Sequence, residues 1–417
     1  MSENKVDFGM FWQVGHRMII GELGPIYTMT EEAKRESWLD LYLIYFVYPP
    51  PFAVLCTPLG LLPLKAAMGV FIAVQSVAVI SASAIFAYSQ AIKKSVAKFS
   101  LKEVLNPLLL ATTFLPMAIC LSIGQPGLLI GFLPITGAYA AMAKGRYLLA
   151  GAILGLLILK PQFLLPLALL GATCLAALAP QLLSKGRAPE NPTAITLSEL
   201  IKLIIGFVIT ASVLASIGLG FFGVDGYLQW LQRMRASVDF VYAHKGFEEY
   251  QEPFNLISSV PMAVAFQCPN APPALLKSAT SIFVLAASLV DIFLLYRIAK
   301  SSLSKRHKLD LTVVTAILSL PVISPYFRLY DLGLLVLPAW IIILGSPTSE
   351  EKRLKVAKLL TFAFWVFVDF RCLLIPQEMH AKIGWINAVF VAGVTVYALS
   401  VAFLLQPKIT KTAVLEQ

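Results

Sequence analysis

The sequence predicts an all-α polytopic membrane protein, with about eleven transmembrane helices and further interfacial or re-entrant helices. Three observations support this fold class: scarce charge, a series of apolar runs, and basic loops at alternate positions between them. Charged residues make up 13% of the chain and hydrophobic residues 58%, whereas soluble domains carry about 25% charged residues. A fully water-facing surface is therefore excluded. We predict a single transmembrane domain over residues 1–417.

The apolar runs have the length that a bilayer requires, which is about 17 to 25 residues for a helix. They lie near 66–90, 107–122, 127–143, 147–160, 161–180, 199–222, 272–297, 309–325, 331–346, 356–375 and 384–406. The stretch 147–180 is too long for one helix and carries Lys160-Pro161 at its centre. We therefore predict two helices joined by a tight turn at this proline.

The basic residues give the orientation. Lysine and arginine concentrate in every second loop, most densely at 297–308, which holds five of them and no acid. Because the cytoplasmic loops of membrane proteins carry the excess of positive charge, these loops are assigned to the cytoplasm. The net charge of +10 thus reflects topology, and nucleic acid is not an expected partner. We expect a multi-pass protein of the inner (cytoplasmic) membrane, in contact with the lipid bilayer.

The opposite side receives residues 1–65 as a first outer loop and residues 223–271 as a long outer loop. Within the first, segment 46–64 is apolar but interrupted by prolines, and its helical part is too short to span a bilayer. We predict a re-entrant or interfacial helix there. The aromatic residues of the 223–271 loop favour helices that lie at the membrane interface. Outer loops of this length are usually functional.

The five cysteines and four histidines are scattered along the chain. No pair has the spacing of metal ligands or of a redox pair, so the sequence predicts no local metal site. We expect the cysteines to be small apolar residues in a membrane core. No cofactor is expected, and no residue reports whether a metal takes part in a reaction.

Polar residues from seven separate segments collect on the outer side at membrane depth, where ionisable groups are costly and indicate function by default. The set comprises Asp7, Tyr48, Gln125, Lys160, Gln162, Asn255, Arg328, Tyr330, Asp331 and Arg371. Because loop charge alone assigns the topology, their convergence on one side is an independent indication of a site.

This set suits the transfer of a sugar from a lipid phosphate. Such a reaction needs a carboxylate that accepts the proton of the acceptor hydroxyl, and a cation that holds the departing phosphate as its charge grows. Lys160 and Arg328 are the candidate phosphate ligands. The candidate substrate-binding residues are Tyr48, Gln125, Gln162, Asn255, Tyr330 and Asp331.

At these residues the chain resembles the polyprenyl-phosphate-dependent glycosyltransferases of family 87, which have the GT-C fold. The motifs follow the family's order over nearly the whole chain. They are Asp7-Phe8 with Gly21 and Tyr27, Phe46-Val47-Tyr48-Pro49-Pro50, Pro58-Leu59-Gly60-Leu61-Leu62-Pro63, Gly124-Gln125, Ala150-Gly151, Lys160-Pro161-Gln162, Ser324-Pro325 and Tyr330-Asp331. The resemblance implies an inverting transfer of a hexose, often mannose, from a polyprenyl-phosphate sugar to a lipid or glycan acceptor outside the cytoplasm. It also implies that Asp7 is the general base.

Two features depart from the family pattern. Relatives carry a transmembrane helix ahead of the aspartate, whereas six residues precede Asp7, so we expect an original first helix to be missing from this start. In addition, the segment 324–329 lacks the histidine that many relatives carry. Arg328 supplies a charge there, but an arginine does not shuttle protons near neutral pH.

Other interpretations stay open for single residues and for the whole chain. Lys160 can extend to the interface and cap a helix end, Gln125 can belong to a simple turn, and Asp331 can be a helix N-cap. The alternative function is a membrane transporter or a flippase for a glycolipid, although neither internal repeats nor charges at the bilayer midplane are evident. A non-catalytic membrane scaffold is a third reading.

Overall fold

The computed structural model describes residues 8–27, 46–93, 100–164, 167–169, 171–173, 195–242, 271–324, 328–345, 351–374 and 384–407. In these ranges the regular elements are all helical, as predicted. The α-helices are α1 (Phe8–Ile20), α2 (Gly24–Tyr27), α3 (Pro50–Gly60), α4 (Leu64–Lys93), α5 (Leu101–Thr112), α6 (Leu115–Ile123), α7 (Leu133–Ala143), α8 (Tyr147–Gly155), α9 (Leu197–Tyr242), α10 (Pro273–Lys300), α11 (Lys305–Leu318), α12 (Leu320–Ile323), α13 (Val336–Trp340), α14 (Glu351–Leu374) and α15 (Gly384–Leu404). Leu128–Phe132 and Ile341–Gly345 are π-helical, and Leu156–Leu159, Pro161–Phe163 and Leu329–Leu335 are 3₁₀ helices.

Within the described ranges, three helices are long and apolar enough to cross a membrane: α4 over Leu64–Ile92, α9 over Leu197–Ala236 and α10 over Pro273–Lys300. Helices α5 and α6 form a fourth if their pair, bent by 74°, is one broken span. Only 17% of the most apolar window of α9 is buried inside the protein. Its apolar side chains therefore need an apolar surrounding, which supports the membrane assignment. The total of about eleven spans stays a prediction.

The bend between α5 and α6 is held by a side chain from α14. The Leu115 N–H, at the start of α6, donates to Asp369 Oδ1 at 2.8 Å. The Phe114 ring in the break packs on Trp365, with 4.2 Å between the ring centroids. A free backbone N–H in a lipid-facing bundle is costly, so the carboxylate makes the break tolerable. Helix α6 then ends at Gly124, which has a φ of 71°.

In the predicted first outer loop, residues 1–65, the described parts 8–27 and 46–65 contain helices α1, α2 and α3 and the first residues of α4. Helix α3 agrees with the proline-rich helix that the sequence predicts, whereas α1 was not predicted. Helix α1 crosses α3 at two glycines: a Cβ on Gly15 would lie 2.1 Å from the Cys56 carbonyl oxygen, and one on Gly60 would lie 2.3 Å from the Gly15 carbonyl carbon. The two backbones are therefore in direct contact, as in small-residue helix crossings of membrane proteins.

Helix α9 changes direction at Gly223, where φ is 62° and ψ is −172°. Non-glycine residues rarely adopt a positive φ, so the glycine permits a break that separates the long apolar part from residues 224–242. The break lies at the predicted start of the long outer loop. The first part of that loop is thus a helix, and residues 243–270 lie outside the described residues.

A buried polar network lies near the helix ends that the sequence assigns to the cytoplasm. Tyr139 Oη donates to Asp310 Oδ1 at 2.7 Å and accepts from Gln90 Nε2 at 3.0 Å and Arg306 Nη2 at 2.7 Å. Arg306 also pairs with Asp310 at 3.3 Å. These contacts join α4, α7 and α11. The Tyr139 hydroxyl, the Asp310 carboxylate and the Arg306 guanidinium are thus bonded to one another inside the bundle, which lowers the cost of burying them.

Candidate functional site

The centre of the candidate site is a buried ion pair between Lys160 and Asp331. Lys160 Nζ contacts Asp331 Oδ1, and the two side chains are 4% and 0% exposed. Lys160 lies between two short 3₁₀ helices with φ −136° and ψ 80°, where Pro161 starts the second. The predicted break at Lys160-Pro161 is therefore present. Because the ammonium lies inside the protein, it does not extend to the interface.

The Asp331 carboxylate is fixed by two further donors. Gln162 Nε2 donates to Asp331 Oδ2 at 3.1 Å, and the Arg328 backbone N–H donates to the same oxygen at 3.1 Å. In the second contact Asp331 is the third residue of the 3₁₀ helix Leu329–Leu335 and bonds back to the backbone of the N-cap residue, Arg328. Asp331 therefore satisfies a donor at the helix start from position N3, and it is not the N-cap that the sequence suggested. Three donors on one carboxylate define its orientation closely.

The Lys160 ammonium has aromatic neighbours and lies close to Gly127. It lies 4.9 Å from the centroid of the Phe163 ring and 5.3 Å from that of the Tyr330 ring. A Cβ on Gly127 would lie 3.6 Å from Lys160 Nζ and 3.8 Å from Asp331 Oδ1. The turn at residues 124–127 therefore runs directly beside the ion pair.

The same turn holds Tyr48 through Gln125. Tyr48 Oη donates to Gln125 Oε1 at 3.0 Å, and Gln125 is 3% exposed. The Tyr48 carbonyl accepts from Tyr27 Oη at 2.9 Å, and the Gln125 carbonyl accepts from Cys120 Sγ at 3.3 Å. Two residues that the sequence places in different outer segments are thus bonded to each other next to Lys160.

Phe8, the residue after Asp7, packs against the other end of the turn. A Cβ on Gly124 would lie 2.5 Å from Phe8 Cβ, and the Phe8 ring is 5.2 Å from the Phe71 ring between centroids. Phe8 is fully buried. Asp7 and Asn255 themselves lie outside the described residues. The start of α1 is therefore anchored beside Gln125, whatever the position of the Asp7 carboxylate.

The structure brings together six of the candidate residues in two bonded groups beside one turn. The groups are Tyr48 with Gln125, and Lys160 with Gln162, Asp331 and the ring of Tyr330. Arg328 joins the second group through its backbone N–H. Arg371 lies outside both groups, and its guanidinium is over the Phe390 ring at 5.7 Å from the centroid.

Several contributors to the site were missed by sequence reasoning. Gly127 and Phe163 line Lys160. Tyr27, which the sequence analysis names only as a motif residue, holds the Tyr48 carbonyl. The sequence Gly124-Gln125-Pro126-Gly127 was a signal for Gly127, because two glycines around a proline permit close approach of other chains. Nothing in the sequence singled out Phe163.

The arrangement offers a cation, a fixed carboxylate, two amides and two phenols within one buried region. An ammonium with such neighbours suits a phosphate or another anion, and the amides and phenols suit hydroxyl groups. Among the described residues, no group of three or more His, Cys, Asp or Glu side chains is placed to hold a metal ion.

The comparisons with known proteins give one match. The model of glycosyltransferase family 87 matches residues 46–325, a range that contains Tyr48, Gln125, Lys160 and Gln162. No curated protein and no solved structure matches the chain. Asp331 lies beyond the matched range but is bonded to Lys160 within it. Since the matched residues are more than half of the chain and the apolar helices fit a bilayer, this protein belongs to glycosyltransferase family 87 and is a membrane glycosyltransferase.

Proposed function

We propose that the protein transfers a hexose, with mannose as the first candidate, from a polyprenyl-phosphate sugar to a lipid or glycan acceptor on the extracytoplasmic side. The observation that carries the proposal is the buried Lys160–Asp331 pair beside Gln125, Gln162 and Tyr48 in a chain of this family. The proposal includes the GT-C fold, about eleven spans and the inner membrane as location.

The proposed reaction is a single inverting displacement at the anomeric carbon. The acceptor hydroxyl oxygen attacks this carbon, and its proton passes to the Asp7 carboxylate as the new bond forms. The bond between the anomeric carbon and the phosphate oxygen breaks, and its electron pair leaves with the polyprenyl phosphate. The reaction therefore needs a base on one face of the sugar and a positive charge on the other.

In this proposal Lys160 supplies the positive charge. Its ammonium has three donors, of which the contact with Asp331 uses one, so others can bond phosphate oxygens as charge develops. Asp331 orients Lys160, and Arg328 is the second candidate for the phosphate. The water-poor surroundings strengthen the attraction between ammonium and phosphate.

The remaining residues are proposed to hold the sugar and the acceptor. Gln162 carries an amide beside the Lys160–Asp331 pair, and Gln125 carries one in the adjoining turn. Their hydrogen bonds to Asp331 and Tyr48 fix their orientation. Tyr48 and Tyr330 offer rings against which a sugar can stack. Asn255, in the long outer loop, is the candidate for an acceptor contact.

The test uses the purified protein in proteoliposomes with radiolabelled polyprenyl-phosphate mannose, and in parallel with polyprenyl-phosphate glucose. Labelled glycolipid or glycan should form with one of these donors and not with a nucleotide sugar. Asp7→Asn should abolish transfer, because an amide does not accept the proton. Asp225→Asn, which changes an exposed acid of the same outer side, is the matched control and should keep wild-type activity.

Two results would contradict the proposal. Full transfer by Asp7→Asn would exclude this residue as the base. Movement of labelled lipid across the bilayer without formation of a new glycosidic bond would favour the flippase alternative.

A further inference from the structure

The helical part of α9 beyond Gly223 has two different faces. Val224, Leu228 and Leu231 are exposed, at 65%, 52% and 49%. Tyr227, Trp230 and Arg233, spaced by three residues, are half-buried or buried and form a row on the side of the helix that packs against the protein. Arg233 is only 4% exposed. Burial of an arginine on a surface helix is unusual and calls for a specific partner.

Each member of this row donates to a backbone carbonyl. Tyr227 Oη donates to Ala215 O at 3.0 Å, which folds the segment back on the first part of α9. Trp230 Nε1 donates to Val47 O at 3.0 Å, and Arg233 Nη1 donates to Ile26 O at 3.2 Å. The last two carbonyls belong to the residues immediately before Tyr48 and Tyr27.

These two bonds extend directly to the candidate site. Tyr27 Oη donates to the Tyr48 carbonyl at 2.9 Å, so Trp230 and Tyr27 hold the two carbonyls on either side of the Tyr48 residue. The Tyr48 side chain then donates to Gln125 Oε1. The Tyr27 ring is further held by Phe222, at 5.4 Å between centroids, just before the break of α9.

We infer that Trp230 and Arg233 are positioning residues for Tyr48 in the transfer reaction. Trp230 fixes the Val47–Tyr48 peptide, and Arg233 fixes the Ile26–Tyr27 peptide from which the Tyr27 hydroxyl reaches Tyr48. Because reaction rates fall by about 100-fold for a 1 Å misplacement of a bound group, loss of either bond reduces turnover although neither residue touches the substrate. The inference rests on the proposed function.

The experiment compares Trp230→Phe and Arg233→Met with wild type. Trp230→Phe keeps an aromatic ring beside Tyr227 and removes the N–H donor. Both variants should lower kcat about 10- to 100-fold. The KM for the polyprenyl-phosphate sugar should rise by a smaller factor, because the Tyr48 ring contacts the sugar whereas the Lys160 contact with the phosphate is unaffected. Arg233→Lys should recover part of the lost kcat, because an ammonium can still donate to Ile26 O.

Arg235→Met is the matched control, because Arg235 is an exposed arginine on the same helix, and it should retain wild-type kcat. A second readout is independent of catalysis: amide hydrogen exchange of residues 46–48, measured by mass spectrometry in detergent. Exchange should rise in Trp230→Phe and in Arg233→Met and stay unchanged in Arg235→Met.

The two readouts separate the inference from the proposed function. Unchanged exchange at residues 46–48 in both variants, or raised exchange with unchanged kcat, would overturn the positioning role. If the wild-type protein transfers no sugar from any polyprenyl-phosphate donor while exchange rises in both variants, the proposed function fails and the structural link from α9 to Tyr48 stands.

Discussion

Replacing one partner of the Lys160–Asp331 pair should lower the free energy of unfolding far more than replacing both. The side chains are 4% and 0% exposed, so Lys160→Met leaves a buried carboxylate without its cation, and Asp331→Asn leaves a buried ammonium without its anion. Either loss should lower the free energy of unfolding by about 3–5 kcal/mol. In Lys160→Met/Asp331→Asn no charge is stranded, and Asn can still accept from the Arg328 N–H. We expect the double variant to lose about 2 kcal/mol or less.

The assay is unfolding in mixed micelles of rising SDS fraction, followed by circular dichroism, on the four proteins of this cycle. The loss of unfolding free energy in the double variant should be smaller than the sum of the two single losses by about 4 kcal/mol or more. Lys355→Met removes the exposed pair with Glu351, at 73% and 78% exposure, and should cost about 0–1 kcal/mol. If the loss in the double variant equals the sum of the two single losses within about 0.5 kcal/mol, the coupling between Lys160 and Asp331 is refuted. Transfer should be absent in both variants that lack Lys160, whatever their stability.

Three further changes test other contacts. Gly124→Ala adds a Cβ 2.5 Å from Phe8 Cβ at a φ of 71°; we expect at least 10-fold lower transfer with intact membrane insertion, measured by kinetics in proteoliposomes. Asp310→Leu strands Arg306 in the buried network and should lower stability by about 3 kcal/mol in the same SDS unfolding, whereas an unchanged midpoint would contradict this. Asp369→Leu removes the acceptor of the Leu115 N–H and should cost about 1–3 kcal/mol, with exchange at that amide as the direct check.

The parts of the fold that depend on local sequence patterns could be predicted from the sequence. Scarce charge and apolar runs predict a helical membrane protein, Lys160-Pro161 predicts a break, and the composition change near 223 coincides with the break at Gly223. Helix α1 was missed because Gln13, His16 and Arg17 interrupt its apolar residues, so it has no run of membrane length.

For the candidate site, the sequence likewise predicted which side the residues share but not how they pair. Loop charge placed Lys160, Gln162 and Asp331 on one side, and the structure bonds them together. Their pairing was not predictable, because 171 residues separate Lys160 from Asp331 and no periodic pattern reaches over that distance. The contacts of Trp230 and Arg233 were missed for a related reason: their acceptors are backbone carbonyls, which leave no trace in the identity of residues 26 and 47.

The crossing of α1 and α3 restricts how this family member can change over time. A methyl group on Gly60 would meet the backbone of Gly15, and one on Gly15 would meet the Cys56 carbonyl and the Gly60 backbone nitrogen. In most packed pairs a larger residue on one helix is offset by a smaller one on the partner. Here the obstructing atoms are backbone atoms in both directions, so no compensating side-chain replacement exists at the contact itself. A lineage that loses either glycine must shift a whole helix, and with it the residues that lead into Asp7, before the fit is restored.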